Sequence, residues 1–310
     1  MNLRYACRKY ASRLAKLVPP SIHLQILKNY MYDRDLALRH NIVCLKQDYS
    51  SPVTVARDID VNLLGKKRHL PGVLIDDAGI RQLGSDLGHY AADFPWRSHP
   101  GNKPEVPWDW MFPTIDSLVL YAMIRHFKPK SYIEVGCGYS SHVSSRACEQ
   151  NREDGINTAV TYIEPYPGTR LAGANLCGDM VVKKIQDLPL EFFDALGPGD
   201  MLFIDTSHIM KLQSDVEWEL LHVLPSLKKG VIIHIHDIYT PYEYPTEWIE
   251  NSYAPGFYNE QYALEALLSG GDRFKTLFPL HALCRDVPDQ LLSWFGTEAD
   301  SSRSYWVIVD

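Results

Sequence analysis

The chain has 310 residues, 45% of them hydrophobic and 22% charged. At roughly 150 residues per domain, that length allows one large α/β domain with an extension, or two modest domains. The ordinary apolar content excludes a mainly disordered chain, a collagen-like chain and a small disulfide-dependent scaffold. Lys plus Arg number 31 against 38 for Asp plus Glu, a net charge of -7, with no long basic tract. Nucleic acid is therefore a poor partner, because phosphate backbones are bound by the Lys and Arg that displace their counterions.

The six cysteines (Cys7, Cys44, Cys137, Cys148, Cys177 and Cys284) are scattered singly, with no C-x-x-C. In a chain of this length they read as reduced thiols of a cytoplasmic protein, mostly buried, and not as a disulfide framework or zinc site. No stretch approaches 18 consecutive apolar residues, which excludes a membrane-spanning helix. The first 28 residues carry six basic side chains and no acid. They predict a basic amphipathic helix docked on the domain or a partner. The other reading is a weak contact with an anionic membrane surface.

The stretch Phe94 to Pro113 holds five prolines and three tryptophans and cannot be a regular helix or a central strand. It predicts a wrap packed on the core, or a wall of a cleft. After it the pattern is regular. Ile115 to Phe127 predicts a helix, with Ile115, Leu118, Val119 and Ala122 at helical spacing. Strands are predicted at Ser131–Val135, Ala159–Ile163, Met180–Ile185, Met201–Ile204 and Val231–Ile235. The helices between them are Ser140–Asn151, Leu190–Leu196 and Gln213–Leu227, the last distorted by Pro225. A helix from Asn259 to Leu268 and strands at Phe274–Phe278 and Tyr305–Val309 complete a seven-stranded set. Short apolar strands alternating with helices predict a doubly wound, mostly parallel, Rossmann-like sheet. Residues 111–310 would form this domain. Residues 1–110 would be a helical and irregular extension ending in the wrap.

In such a sheet a ligand sits at the carboxyl ends of the strands. The first strand runs into Glu134-Val-Gly136-Cys-Gly138-Tyr139-Ser140-Ser141. Its glycines permit a tight turn, and amides at the following helix start can face a carboxylate. As a dinucleotide fingerprint it is defective, because Ser141 stands where the third glycine belongs. After the second strand comes Glu164, placed to accept both hydroxyls of an adenosine ribose. After the third come Gln186, placed for an adenine amino group, and Asp187, which also reads as a helix N-cap.

This ordered set resembles the class I S-adenosylmethionine-dependent methyltransferases over about residues 110 to 310. The resemblance implies that Glu134, Gly136, Gly138, Tyr139 and Ser140 cradle the methionine part. It also gives the ribose to Glu164 and the adenine to Gln186 and Asp187. The fourth strand runs into Asp205-Thr-Ser-His208, and the fifth reads His234-Ile-His236-Asp237. Two acids and an imidazole at adjacent strand ends form a candidate site for Mg²⁺ or another divalent cation, with Asp205, His236 and Asp237 as ligands. His234 shares a sheet face with His236 and reads as core. The arrangement is similar to metal-dependent O-methyltransferases of the catechol and macrolide-sugar type, in which a base lies three residues past the first Asp; His208 holds that spacing. His236-Asp237 departs from the acid-acid or acid-amide pair of that group.

The phrases LFIDTSH, SDVEWELLHVLPSLKKGVIIHIHDIYTPYEYP and YNEQY resemble a bacterial branch of uncharacterised class I methyltransferases. LPGVLIDDAGIRQL extends that likeness upstream, so that residues 50 to 110 join the same unit. The segment from Asp237 to Tyr258 carries Tyr239, Tyr242, Tyr244, Trp248, Tyr253 and Phe257. It reads as a lid over an acceptor or as a loop packed on the N-terminal part. The expectation is methyl transfer to a hydroxyl of a small or sugar-containing molecule, with His208 as general base assisted by Asp205. The alternatives are the same reaction without metal, a silent binding or scaffold protein, and a nicotinamide oxidoreductase, which the missing third glycine disfavours. A homo-oligomer is compatible with the sequence.

Overall fold

The computed structural model describes residues 58–96, 106–108, 111–169, 171, 174–246, 258–299 and 301–310, with scattered positions between 19 and 54. The chain divides into two units, Met1–Ile59 and Asp60–Asp310. Within the first, Arg34–His40 is helical, with Asp35 in its first turn and Arg39 and His40 in its last. That placement complements the helix dipole. The predicted helix over residues 1–28 lies almost wholly outside the described residues, as do Cys7 and Cys44. The second unit starts at Asp60, so residues 60–110, expected as part of the extension, share a unit with the sheet.

That sheet has seven strands in the order β3-β2-β1-β4-β5-β7-β6. They are β1 Ser131–Val135, β2 Ala159–Ile163, β3 Asp179–Val181, β4 Met201–Ile204, β5 Ile232–Ile235, β6 Phe274–Pro279 and β7 Tyr305–Val309. The first five are parallel, with Tyr132 paired to Val160 on one side and to Met201 on the other. β7 runs antiparallel to β5, pairing Tyr305 with Ile235 at the functional end of the sheet. Alternation along β1 sends Tyr132 and Ile133 into two separate apolar clusters, one on each face. Both faces are covered, which is why these strands read as unbroken apolar runs.

The helices of this unit are α1 Asp77–Gly88, α2 Thr114–Phe127, α3 Tyr139–Glu153, a three-part α4, α5 Glu260–Ser269, α6 Leu280–Asp286 and α7 Pro288–Phe295. α4 opens as an α-helix at Asp215–Trp218, widens to a π-turn at Glu219–Val223 and closes at Leu224–Ser226. Pro225 has no N–H for the carbonyl of Leu221 and its ring crowds that turn, so the widened turn is its expected effect. β3 stops at Val181, short of the predicted Ile185. It is an edge strand, and Val182, Lys183 and Lys184 are exposed beyond it. The predicted helix at 190–196 is a 3-10 helix, Leu190–Ala195. α1, α6 and α7 were not foreseen.

α1 packs on α7 through a glycine. A Cβ at Gly84 would sit 2.5 Å from ring atoms of Trp294. Gly84→Ala should therefore lower the urea midpoint, because overpacking costs about 1–3 kcal/mol against a helix-propensity gain of about 1 kcal/mol. A raised midpoint, the result of propensity alone, would contradict this packing.

Candidate active site

The strand order reverses between β1 and β4, and the turns that follow these two strands meet there. Gly136 has φ +81°, and a Cβ on it would lie 1.8 Å from the carbonyl oxygen of Asp205. Only glycine fits. Beneath this turn Glu134 is fully buried. Its carboxylate accepts hydrogen bonds from Tyr132 (2.9 Å), Ser140 (2.8 Å), Ser141 (2.6 Å) and Ser144 (2.8 Å). Burial raises its pKa above the usual range, and the hydroxyls act to lower it again. Glu134 thus shapes the cradle from below, and its side chain does not line the cleft. Ser141 explains the missing third glycine. Its hydroxyl donates to Glu134 and accepts from the Gly138 amide at 3.1 Å.

Glu164, at the end of β2, stands between two connected hollows. Its carboxylate accepts from the amides of Cys137 (3.1 Å) and Tyr166 (2.7 Å), which aims it across the strand ends. On one side lies a cleft of about 520 Å³ lined by Val135, Gly136, Glu164, Ile185, Gln186 and Asp205, among others. The Oε1 atom of Gln186 is buried there without a hydrogen-bond partner. Asp187 behaves differently: it is exposed and does not line the cleft. Nor does it cap the following helix, whose N-cap position is Pro189 with no side-chain bond.

The other hollow, of about 280 Å³, is walled by Phe112, Tyr139, Asp205, His208, Asp237 and Tyr258, among others. Here the His208 ring is held from three sides. Its Nε2 lies 3.2 Å from Asp205 and 3.4 Å from Asp237, and its Nδ1 lies 2.9 Å from Glu260. Burial pulls the His208 pKa down, but the bonds to Asp205 and Glu260 and the charges of Asp237 and Glu260 prevail. The net effect raises the pKa of the ring well above its ordinary value. Asp205 is opposed by burial, yet His236 and His208 hold its carboxyl down to about 2. His208 and Asp237 both adopt φ +58°. Non-glycine residues in that region store strain, which concentrates at functional sites.

Asp205, His208 and Asp237 each bring a donor atom within 4.8 Å of the others. Asp237 Oδ1 is buried without a hydrogen-bond donor. His236 stands outside this trio: its Nε2 is 4.0 Å from Asp237, and its ring packs on Phe112. Of the expected set of Asp205, His236 and Asp237, the structure groups the two aspartates, and it is His208 that joins them. His234 is core, stacked on Phe203 at 4.3 Å and close to Trp306.

Of the segment after β5, Tyr239, Tyr242 and Tyr244 are buried and form a cluster of their own with Ala282. Residues 65–68 cover it, with Gly65 and Arg68 donating to the carbonyls of Tyr244 and Pro241. Those three tyrosines are packing and not lid. Trp248, Tyr253 and Phe257 lie outside the described residues. The proline-rich stretch serves both expected roles. Trp108 stacks on Tyr139 at 5.6 Å, while Met111 and Phe112 wall the smaller hollow.

Sequence reading missed Glu260, Arg303 and Glu219. Glu260 lay in plain view inside YNEQY. Arg303, 3.6 Å from Asp237, had no local signal and arrives because β7 runs antiparallel beside β5. Glu219, fully buried on the π-turn, accepts from Thr206 at 3.1 Å.

Residues 133–238 match the family described as a methyltransferase domain. Over those residues the chain is similar to methyltransferase domains. An uncharacterized protein of Archaeoglobus fulgidus is 32% identical over 89 residues, 28% of this chain. That match spans 39% of the relative's length. Among solved structures, the O-methyltransferase from Bacillus cereus in complex with SAH is 13% identical, with 76% of this chain and 93% of that one covered and a TM-score of 0.39. The plantazolicin methyltransferase BpumL in complex with SAH is 14% identical, at 75% and 98% coverage and a TM-score of 0.40. A structure of cmcI-D160 with Mg-SAM is 16% identical, at 81% and 97% coverage and a TM-score of 0.37. The strand order, not these shallow overlaps, sets the fold. Among the described residues no helix is long and apolar enough to cross a membrane.

The core assignment of His234 has a pH signature. Burial and the neighbouring His236 push its pKa well below the ordinary value. The unfolded chain therefore takes up a proton that the folded chain refuses, and stability falls as pH drops below about 6.5. His234→Phe should shrink the stability lost between neutral pH and mild acid, as read from urea midpoints. An acid-induced loss as large as in the parent protein would contradict the assignment.

Proposed function

We propose that this protein transfers the methyl group of S-adenosylmethionine to a hydroxyl of a small or sugar-containing acceptor. The observation that carries the reading is the order of groups across the strand ends. An adenine acceptor at Gln186 is followed by a ribose carboxylate at Glu164, a glycine turn at Gly136, and the Asp205–His208–Asp237 constellation. The cleft suits the cofactor. Its volume of about 520 Å³ lies in the range of small-ligand sites. The orphaned Gln186 Oε1 is a buried acceptor awaiting a donor such as the adenine amino group. Glu164 keeps lone pairs for two ribose hydroxyls after serving the Cys137 and Tyr166 amides. The first turn of α3, beginning at Tyr139 and Ser140, offers amides to the methionine carboxylate. When bound, S-adenosylmethionine would supply an electrophilic methyl group.

Asp205 and Asp237 are the residues that would hold a divalent cation, and their oxygens suit a hard ion. A cation held there lowers the pKa of an acceptor hydroxyl and orients its oxygen. His208 is the base in this reading. With Asp205 and Asp237 engaged elsewhere, its Nε2 loses two of its partners and gives its proton up to solvent, and the neutral ring then accepts the hydroxyl proton as the methyl is transferred. Phe112, Tyr139 and Tyr258 wall the acceptor side, suiting a planar or sugar ring.

The three-atom grouping supports a second reading, with His208 as the third ligand. His208→Ala distinguishes the two. A base loses turnover by roughly a hundredfold to ten-thousandfold while Mn²⁺ still binds, whereas a ligand loses Mn²⁺. Methyl transfer undiminished in excess chelator would leave His208 and Asp205 as a hydrogen-bonded base pair working without metal. For the cofactor, Glu164→Ala should weaken calorimetric binding of S-adenosylhomocysteine by roughly tenfold to a hundredfold, the worth of a charge-assisted contact. Unchanged affinity in a folded variant would remove the cofactor assignment.

A further inference from the structure

Four consecutive residues, Tyr258 to Gln261, each grip a different part of the site. The Tyr258 ring lies 4.9 Å from the His208 ring. Asn259 accepts from the Met210 amide at 2.6 Å and donates to the Met210 carbonyl at 3.3 Å. The amides of Asn259 and Glu260 both donate to the carbonyl of His208, at 3.1 and 3.3 Å. Gln261 accepts from the Tyr239 amide at 2.7 Å and donates to the Tyr242 carbonyl at 2.9 Å. The start of α5 is thereby tied to the turn after β4 and to the turn after β5 together.

Within this clamp Glu260 has one task that packing does not require. It is 1% exposed and does not line the acceptor hollow, yet its carboxylate meets His208 Nδ1 at 2.9 Å. Burial raises the Glu260 carboxyl, while its bond to His208 and the His208 charge act to lower it; as a carboxylate it accepts, and Nδ1 then carries the hydrogen of that bond. The opposite nitrogen, Nε2, faces Asp205 and Asp237 in the hollow. We infer that Glu260 is a positioning residue that holds the Nδ1 proton of His208, so that Nε2 alone exchanges a proton with the acceptor. This deepens the reading of His208 as a working residue and rests on it. The chemistry balances. The acceptor O–H proton passes to an Nε2 that has already given its own proton to solvent, as the O–CH₃ bond forms and the S–CH₃ bond breaks, and the Nδ1 proton stays on the ring in its bond to Glu260 throughout. Fixing the partner of one ring nitrogen is how a histidine's other nitrogen is assigned its role.

The test is nitrogen-resolved proton NMR of the metal-free protein. Wild type should show a slowly exchanging, low-field proton on His208 Nδ1, assigned by its disappearance in His208→Asn. The proton should persist in Asp205→Asn and vanish in Glu260→Leu. It should return, shifted upfield, in Glu260→Gln, whose amide oxygen accepts without a charge. A merely structural Glu260 would leave that resonance unmoved. Its persistence in Glu260→Leu, or its absence from wild type, would overturn the inference. Should Glu260→Leu fail to fold, Glu260→Gln decides alone: an unshifted resonance overturns the inference. Failure of wild type to bind S-adenosylhomocysteine would sink the methyltransferase reading instead, and the proton measurement is independent of it.

Discussion

The site depends on one close approach. Where the strand order turns back between β1 and β4, the backbone at Gly136 passes so near the Asp205 carbonyl that no side chain fits between them. That contact brings the turn carrying the cofactor cradle against the turn carrying the acidic constellation. A methyl donor lying along the first is then within reach of an acceptor held by the second. Proximity of this kind is worth more to a bimolecular reaction than any single polar contact. Glu134 and its ring of hydroxyls lock the cradle from below, so the turn is preorganised before any ligand arrives.

The second organising feature is electrostatic. Asp205, Asp237 and Glu260 surround one imidazole, and Arg303 stands beside Asp237. Buried charges are tolerated only when paired, and here the His208 ring is the partner that three carboxylates share. The same arrangement makes the ring responsive. Whatever engages the two aspartates removes what holds the Nε2 proton, while Glu260 keeps the other proton in place. In the proposed mechanism, base strength at His208 is thus coupled to occupancy of the carboxylates.

Much of this was legible in the sequence because parallel strands buried on both faces announce themselves as short apolar runs. β1, β2, β4 and β7 lie where the pattern put them, and the groups at their ends follow from topology. Other features were hidden for specific reasons. Glu134 read as a ligand-facing acid because the sequence does not show which face of β1 it takes. The period-2 alternation that seats Tyr132 in one core places Glu134 on the same side, under α3. His208, and not His236, groups with the two aspartates because the turn after β4 adopts a positive φ at His208 that folds its ring back toward Asp205. Arg303 reaches the site only through the antiparallel β7, a long-range pairing with no local signature. The tyrosines after β5 read either as a lid or as a packed loop, because aromatic residues look alike in a loop and in a satellite core.

The measurement that bears most directly on the account is a crystal structure with S-adenosylhomocysteine and Mn²⁺, recorded with anomalous scattering. The account predicts the ribose against Glu164, the adenine against Gln186, and an anomalous peak in contact with both Asp205 and Asp237. A nucleoside bound elsewhere, or a fully occupied cofactor cleft with no peak at the two aspartates, would contradict it.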